Sequence, residues 1–280
     1  MNKKVVVIVP TRNSIRTIVK CLKSVVDQSY PCELYVVDNN SSDGTLEIAK
    51  KFTKKVFTKG PERSAQRNYA AQKSKSDYIL VIDSDMILTK NVVRDCVNLM
   101  NEFDALVIEE KFNGEGFWTK CKCLEKSTYF GTGDGEAARF FNRKVFFEAG
   151  MYDEGLIGTE DIDIHKKMKR LGKKIGYANE LIFHEDDRLS LRDVLKKRVY
   201  YALTLDKYLK QNEEESQSEK KFIRKAYIKN WRKLALDPRH TFGMFFMRIL
   251  EGFAVYYGLW KSKNAEDAAK DVDIIYSAKK

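Results

Sequence analysis

Tyr78-Ile79-Leu80-Val81-Ile82-Asp83-Ser84-Asp85-Met86 is a short apolar run that ends in two carboxylates one residue apart. An uninterrupted run of this length is expected of a strand buried on both faces of a covered sheet. On an extended chain residues i and i+2 project to the same side, so Asp83 and Asp85 are expected to address one object. Open α/β sheets bind ligands just beyond the carboxyl ends of their strands. A hard divalent cation with attached phosphates suits two carboxylates there. A strand end closed by two solvated aspartates is the plainer alternative, and the surrounding segments argue against it.

Toward the N-terminus, Val5 to Val9 reads as another buried strand, followed by the turn Pro10-Thr11-Arg12-Asn13-Ser14. Its apolar run is too short for a signal peptide. Ile18, Leu22, Val25 and Val26 recur at helical spacing and predict a helix from Ile15 to about Gln28. Leu34–Val37 predicts a second strand, Leu46 to Phe52 a helix, Val56-Phe57 a short strand and Arg63 to Lys73 a further helix. Strand–helix alternation of this kind implies a parallel sheet with crossover helices. Three strand ends then carry polar clusters: Pro10-Thr11-Arg12-Asn13, Asp38-Asn39-Asn40-Ser41-Ser42-Asp43-Gly44 and Asp83-Ser84-Asp85. Along one sheet edge they form a nucleotide-sized polar crevice. Asp38 is either a hydrogen-bond acceptor for a base or ribose or an Asx-turn residue closing its loop. Neither a Gly-x-Gly-x-x-Gly after the first strand nor a Gly-Lys-Ser/Thr is present, so neither a dinucleotide fold nor a P-loop is signalled.

At 280 residues, with 43% hydrophobic content and four prolines, the chain can bury a sizeable globular core. Its five cysteines are odd in number and lack a repeated metal-ligand spacing, which favours free thiols in a reducing compartment. The net charge of +11 is uneven. From Arg188 onward 21 Lys and Arg face 12 Asp and Glu, which leaves +2 for the first 187 residues. A basic C-terminal third suggests contact with something anionic.

The motifs Val7-Ile8-Val9-Pro10-Thr11-Arg12-Asn13, Val36 to Thr45, Arg63-Ser64-Ala65-Gln66-Arg67-Asn68 and Asp83-Ser84-Asp85, in that order and spacing, resemble family 2 glycosyltransferases of the GT-A fold. Ala138 to Glu154 resembles the stretch before that family's acidic motif. Gly158-Thr159-Glu160-Asp161-Ile162-Asp163-Ile164 is similar to its Glu-Asp motif opening a helix, here expected from Ile164 to Leu171 and stopped by Gly172. The resemblance covers about Lys3 to His184. It implies an α/β, Rossmann-like nucleotide-diphospho-sugar transferase domain over 1–187, with a donor half at about 1–100 and an acceptor half at about 101–187. Residues 188–280 would be a helical extension.

By that resemblance Asp161 is the general base that takes the proton of an acceptor hydroxyl, and Glu160 orients the acceptor or the neighbouring loop. Acidic charge at a helix N-terminus is the other reading of both. A divalent cation, Mn2+ or Mg2+, and basic residues would meet the charge growing on a nucleoside diphosphate leaving group. Asp85 is the expected direct metal ligand, with Asp83 reaching the ribose or the metal through water. His184, after Leu181-Ile182-Phe183, would complete the metal site. Pro10, Thr11, Arg12, Asn13, Asp38 and Ser84 fall to the donor. Arg63 and Arg67 would meet its phosphates, or be solvated helix-face arginines. Gly131 to Gly135 reads as a turn able to line the acceptor site.

In the C-terminal third, Ser190 is placed to cap a helix from Leu191 to Lys210, and Gln211 to Lys221 reads as an exposed loop. Phe222 to Leu236 interleaves aromatic and basic residues. Phe242 to Trp260 is mostly apolar and barely long enough to span a bilayer, but it holds Arg248 and Glu251. On a helical wheel Phe242, Phe246, Ile249, Phe253, Tyr257 and Trp260 form a stripe opposite those two charges. The stripe either lies in a membrane interface or packs back on the catalytic domain. The expected function is metal-assisted, inverting transfer of a sugar from a nucleotide-sugar donor to a glycan or polyprenyl-phosphate-linked acceptor, by a cytoplasmic enzyme peripheral on the membrane. A nucleotide-sugar binder without transferase activity and, last, a nucleic-acid-binding protein are the alternatives. No nucleic-acid motif accompanies the aromatics, so no nucleic-acid partner is expected.

Overall fold

The computed structural model describes residues 3–129, 137–185, 189–212 and 224–263. Its chain contacts divide into two units. The first comprises Met1–Glu110, Glu136–Glu154 and Glu160–Glu185; the second comprises Lys111–Gly135, Gly155–Thr159 and Asp186–Lys280. Relative to a single boundary at 187/188, the segments 111–135 and 155–159 group with the C-terminal residues.

The first unit is built on one eight-stranded sheet. Its elements in chain order are β1 (Val5–Thr11), α1 (Ile18–Val26), β2 (Glu33–Asp38), α2 (Thr45–Phe52), β3 (Val56–Thr58), α3 (Arg63–Lys73), β4 (Tyr78–Val81), β5 (Met86–Leu88) and α4 (Val92–Leu99). β6 (Ala105–Asn113) follows in the same sheet, its residues from Lys111 counted with the second unit, to which α5 (Phe117–Tyr129) belongs. The first unit closes with β7 (Ala138–Asn142), α6 (Arg143–Glu148), α7 (Glu160–Arg170) and β8 (Ile175–Glu185). The strand order is β3-β2-β1-β4-β7-β6-β8-β5. β3, β2, β1 and β4 are parallel, as the strand–helix alternation requires, and β4 meets β7 antiparallel.

β1 is buried along its whole length because the sheet is covered on both faces. Val5, Val7 and Val9 join Ile18, Leu22 and Val25 of α1 on one side. Val6 and Ile8 join Ala70 and Ala71 of α3, Phe146 of α6 and Ile164 of α7 on the other. A continuous apolar run is the sequence that such a strand demands. Two expected helices differ at their starts. α1 begins at Ile18 rather than Ile15, because the Ser14 carbonyl first closes a turn with the N–H groups of Thr17 and Ile18. α7 begins at Glu160, four residues before the expected start.

The second unit holds α8 (Leu191–Ala202), α9 (Leu205–Gln211), α10 (224–229), α11 (Trp231–Leu236) and α12 (Pro238–Lys263). Ser190 caps α8, its side chain accepting the Asp193 N–H. The helix predicted over 191–210 is broken after Ala202. α12 opens on Pro238, a residue suited to a first helical position. Cys121, Val194, Met244 and Met247 form this unit's apolar centre. Residues 213–223, most of the loop expected over 211–221, and the turn expected at 131–135 lie outside the described residues.

Candidate active site

The parallel register sets Thr11 of β1 beside Asp38 of β2, so two of the polar strand ends lie side by side. Gln66 of α3 ties them by donating from Nε2 to the carbonyls of Thr11 (3.1 Å) and Val37. Asn13, at φ +50°, donates its N–H to Ser41 Oγ (2.9 Å) and accepts the Ser42 N–H at Oδ1 (2.9 Å). Asp38 is fully buried and accepts from the N–H (2.8 Å) and hydroxyl of Ser41, three residues on, so it closes its own loop. Pro10 and Thr11 are buried, while Arg12 and Asn13 are half-buried. Ser84 reaches this edge through its hydroxyl, 2.8 Å from Ser14 Oγ.

The quoted run does not stay extended through its two aspartates. β4 ends at Val81, Ser84 and Asp85 form a turn in which the Met86 N–H donates to the Asp83 carbonyl (3.1 Å), and β5 starts at Met86. The two carboxylates therefore have different protein partners, and the extended geometry expected to point them the same way does not hold. Asp83 accepts from Arg67 Nη2 at 2.6 Å. Asp85 lies instead by His184, its Oδ1 3.6 Å from His184 Nε2.

Arg67 is the centre of the site. Its side chain is 0% exposed, so it is not a solvated helix-face arginine. Nη2 holds Asp83, and Nη1 holds Asp161 Oδ1 (2.8 Å) and Glu160 Oε1 (3.3 Å). Its guanidinium also lies 5.1 Å from the centre of the Tyr152 ring, a cation–π distance. Arg63, one turn earlier on α3, donates Nε to the same Glu160 oxygen. Asn68 secures the approach to α7, donating to the Tyr152 carbonyl (2.9 Å) and to Glu154 Oε1 (3.0 Å). A buried guanidinium is the economical way to hold three carboxylates together, because its fork presents several fixed donors.

Arg139 of β7 is a member that the sequence reading passed over. It donates Nε to Glu110 Oε1 at 2.6 Å, with Nη2 3.9 Å from Asp83 Oδ2. The available signal was a lone arginine in the apolar strand Ala138–Asn142. Burial alone would raise the Asp83 carboxyl pKa, but Arg67, Arg139 and Arg63 outweigh it and hold that carboxyl well below the usual range. Burial, with Asp161 adding to it, pushes the Tyr152 phenol up. Asp161 keeps 24% of its side chain exposed, and its Oδ2 has no hydrogen-bond partner among the described residues. A carboxylate so placed has one oxygen fixed and the other able to accept a proton.

The metal implied by the fold is tested by what surrounds Asp85. Its Oδ1 is buried and makes no hydrogen bond among the described residues. The antiparallel register of β5 and β8 pairs Met86 with His184, which brings the imidazole to the aspartate next in line. An orphaned carboxylate oxygen beside an imidazole fits a divalent cation. Among the described residues no group of three or more His, Cys, Asp and Glu side chains forms a metal cluster, so a cation held here takes its other ligands from elsewhere.

The glycosyl transferase family 2 model matches residues 6–152, just over half of the chain. The chain belongs to that family. It is 34% identical over 125 residues to TarS of Staphylococcus aureus, a poly(ribitol-phosphate) beta-N-acetylglucosaminyltransferase, a match covering 39% of this chain and 22% of TarS. An uncharacterized glycosyltransferase, the MG060 homolog of Mycoplasma pneumoniae, is 29% identical over 202 residues, 63% of this chain and 66% of that protein. This chain thus spans about a fifth of TarS. Among solved structures, the Pyrobaculum calidifontis mannosyltransferase PcManGT, in complex with GDP-Man and Mn2+, superposes with a TM-score of 0.58 at 16% identity, covering 100% of this chain and 87% of that one. That likeness shows the fold, which is GT-A.

Proposed function

We propose that this chain transfers a sugar from a nucleotide-sugar donor to an acceptor hydroxyl, with inversion, and that Asp161 is the general base. The observation that carries the proposal is the gathering of Asp83, Glu160 and Asp161 on the buried Arg67, beside the aligned ends of β1 and β2. Arg67 fixes one oxygen of Asp161. The other takes the proton of the acceptor hydroxyl as that oxygen bonds to the anomeric carbon and the bond to the nucleoside diphosphate breaks. Glu160 is held by Arg63 and Arg67 and positions its neighbour. Asp85 and His184 would hold Mn2+ or Mg2+, which supplies positive charge for the leaving diphosphate. The strand-end residues Pro10, Thr11, Arg12, Asn13, Asp38 and Ser84 shape the donor side.

Relatives named for transfer to poly(ribitol phosphate) support an acceptor among envelope glycans. A polyprenyl-phosphate-linked glycan, met at the cytoplasmic face of a membrane through residues 188–280, is the form this reading takes. The test is Asp161→Asn. Acceptor-dependent turnover is expected to fall about 10^2- to 10^4-fold, while calorimetric titration with nucleotide sugars and Mn2+ shows donor binding unchanged. Undiminished turnover in the variant would remove Asp161 from its role.

A further inference from the structure

Helix α12 is amphipathic in the reverse sense. Gly243, Met247, Glu251, Ala254 and Gly258 recur every three or four residues and are its buried face. The fit is close: a Cβ on Gly243 would lie 2.6 Å from Cys121 Sγ of α5, and one on Gly258 would lie 2.6 Å from the Cβ of Ala202 of α8. Glu251 is buried on that face and accepts from Arg248 Nη1 (2.7 Å), Arg198 Nε (2.9 Å) and Lys122 Nζ (3.4 Å). These pairs fix the rotation of the helix with its charged residues turned in. The opposite face carries Phe242, Phe245, Ile249, Phe253, Tyr256 and Trp260, each between 45% and 76% exposed.

Phe246 stacks on Trp118 and Phe245 meets Tyr227 edge-on, but among the described residues the stripe stays largely exposed. Aromatic side chains offer about 150–250 Å² each, so this face leaves on the order of 800 Å² of apolar surface in water, more than the few hundred a monomer usually tolerates. Its surroundings are basic. Residues 224–263 contain nine Lys and Arg against two Asp and Glu. Both acids are engaged, Glu251 in the buried pairs and Asp237 with His240 Nδ1 at 2.7 Å. Arg224, Lys225, Arg232, Lys233 and Arg239 are exposed, as is Trp231. Among the described residues no helix is long and apolar enough to cross a membrane.

We infer that the outward face of α12 docks on the surface of an anionic lipid bilayer, the helix lying in the interface with its aromatic side chains among the acyl chains and the basic residues at the headgroups. The inference rests on the reading of 188–280 as membrane-contacting and narrows it to one helix face. Charge complementarity selects this occupant: a second copy would bring two strongly basic surfaces together.

The experiment uses the full chain with phosphatidylcholine vesicles, with and without phosphatidylglycerol, read by flotation and tryptophan fluorescence. The protein is expected to bind the anionic vesicles, less well as salt rises. A Phe253→Ser, Tyr256→Ser, Trp260→Ser variant, checked for native circular dichroism, is expected to bind them about tenfold or more weakly. Its binding of nucleotide sugar in solution should be unchanged. Arg232→Gln with Lys233→Gln and Arg239→Gln is expected to lose the preference for anionic lipid by about tenfold or more. If the unaltered chain binds neither vesicle, the membrane reading fails as a whole. If it binds and the aromatic variant binds equally well, this face is not the docking face, although the membrane reading stands. A dimer by light scattering that the aromatic variant dissolves, with no vesicle binding, would give the face to a second copy and overturn the inference.

Discussion

Each unit of this chain buries a cluster of opposite charges, and the two clusters are built inside out with respect to each other. In the first, a cation is the centre: Arg67, wholly buried, holds Asp83, Glu160 and Asp161. In the second, carboxylates are the centre. Glu125 takes Lys122 Nζ at 3.1 Å, the hydroxyls of Tyr129 and Tyr227 at 3.0 Å each, and Arg248, while Glu251 takes Arg248, Arg198 and Lys122. Both arrangements pay desolvation, which pairing and hydrogen bonding must offset. They differ in what remains over. A cationic centre leaves carboxylate oxygens at the rim, still able to accept a proton or a ligand, and Asp161 shows this. A carboxylate centre ringed by donors has its acceptors consumed, and what it provides is rigidity. The first design suits chemistry, and the second suits fixing how a helix is rotated.

The comparison is broken most directly at the two centres. Arg67→Met leaves three carboxylates with Arg63 and Arg139 as their remaining partners. It is expected to cost about 3–5 kcal/mol of stability and to abolish transfer, as measured by denaturant unfolding and turnover. A variant with normal turnover would show that the carboxylates do not need their centre. Glu125→Gln keeps the shape but not the charge, and is expected to cost about 3 kcal/mol with nucleotide-sugar binding intact. A loss of donor binding without a loss of stability would contradict the purely structural role.

Acid should separate the units. His165 of α7 accepts the Ala138 N–H at Nδ1 (3.2 Å); its burial, and after that the charges of Lys169 and Lys166, hold its pKa down at about 4 against an ordinary 6.5. Because the folded value is depressed, the unfolded chain binds the proton first. The stability from neutral His165 is complete above pH 6.5 and is lost as pH falls toward 4. Burial would raise Glu125, yet Lys122 and Arg248 outweigh it and hold it at about 2 against an ordinary 4.5, so its contribution is lost only between those values. Each amounts to roughly 3 kcal/mol. Hydrogen exchange across an acid titration is expected to show the sheet unit loosening before the helical unit, and the reverse order would overturn the assignment. Ser190→Ala, removing the cap of α8, should have the smallest effect, about 1 kcal/mol, seen as a modest fall in Tm.

Much of the first unit was legible because its signals are local. Apolar runs marked the parallel strands β1, β2 and β4, the polar segments after them marked the strand ends that lie side by side, and the helix Arg63–Lys73 has the predicted bounds. The behaviour of Asp83-Ser84-Asp85 was not legible. An extended Asp-x-Asp and a turned one have the same composition, and the turn is set by where Arg67 and His184 stand. The place of Arg67 among Asp83, Glu160 and Asp161 was not legible either, because those partners are supplied from other parts of the chain.

The sequence by itself determined the family, through its ordered motifs, and the covered parallel sheet with its polar strand ends, through patterns of apolar burial and turn residues along the chain. It also determined that α12 has an aromatic face and a charged one. Only the tertiary structure decided which carboxylate meets the buried guanidinium, that His184 stands beside Asp85 through the β5–β8 register, and that the charged face of α12 turns inward. The reason is that pairing of charges depends on distance in space and on access to water, and neither is a property of sequence spacing.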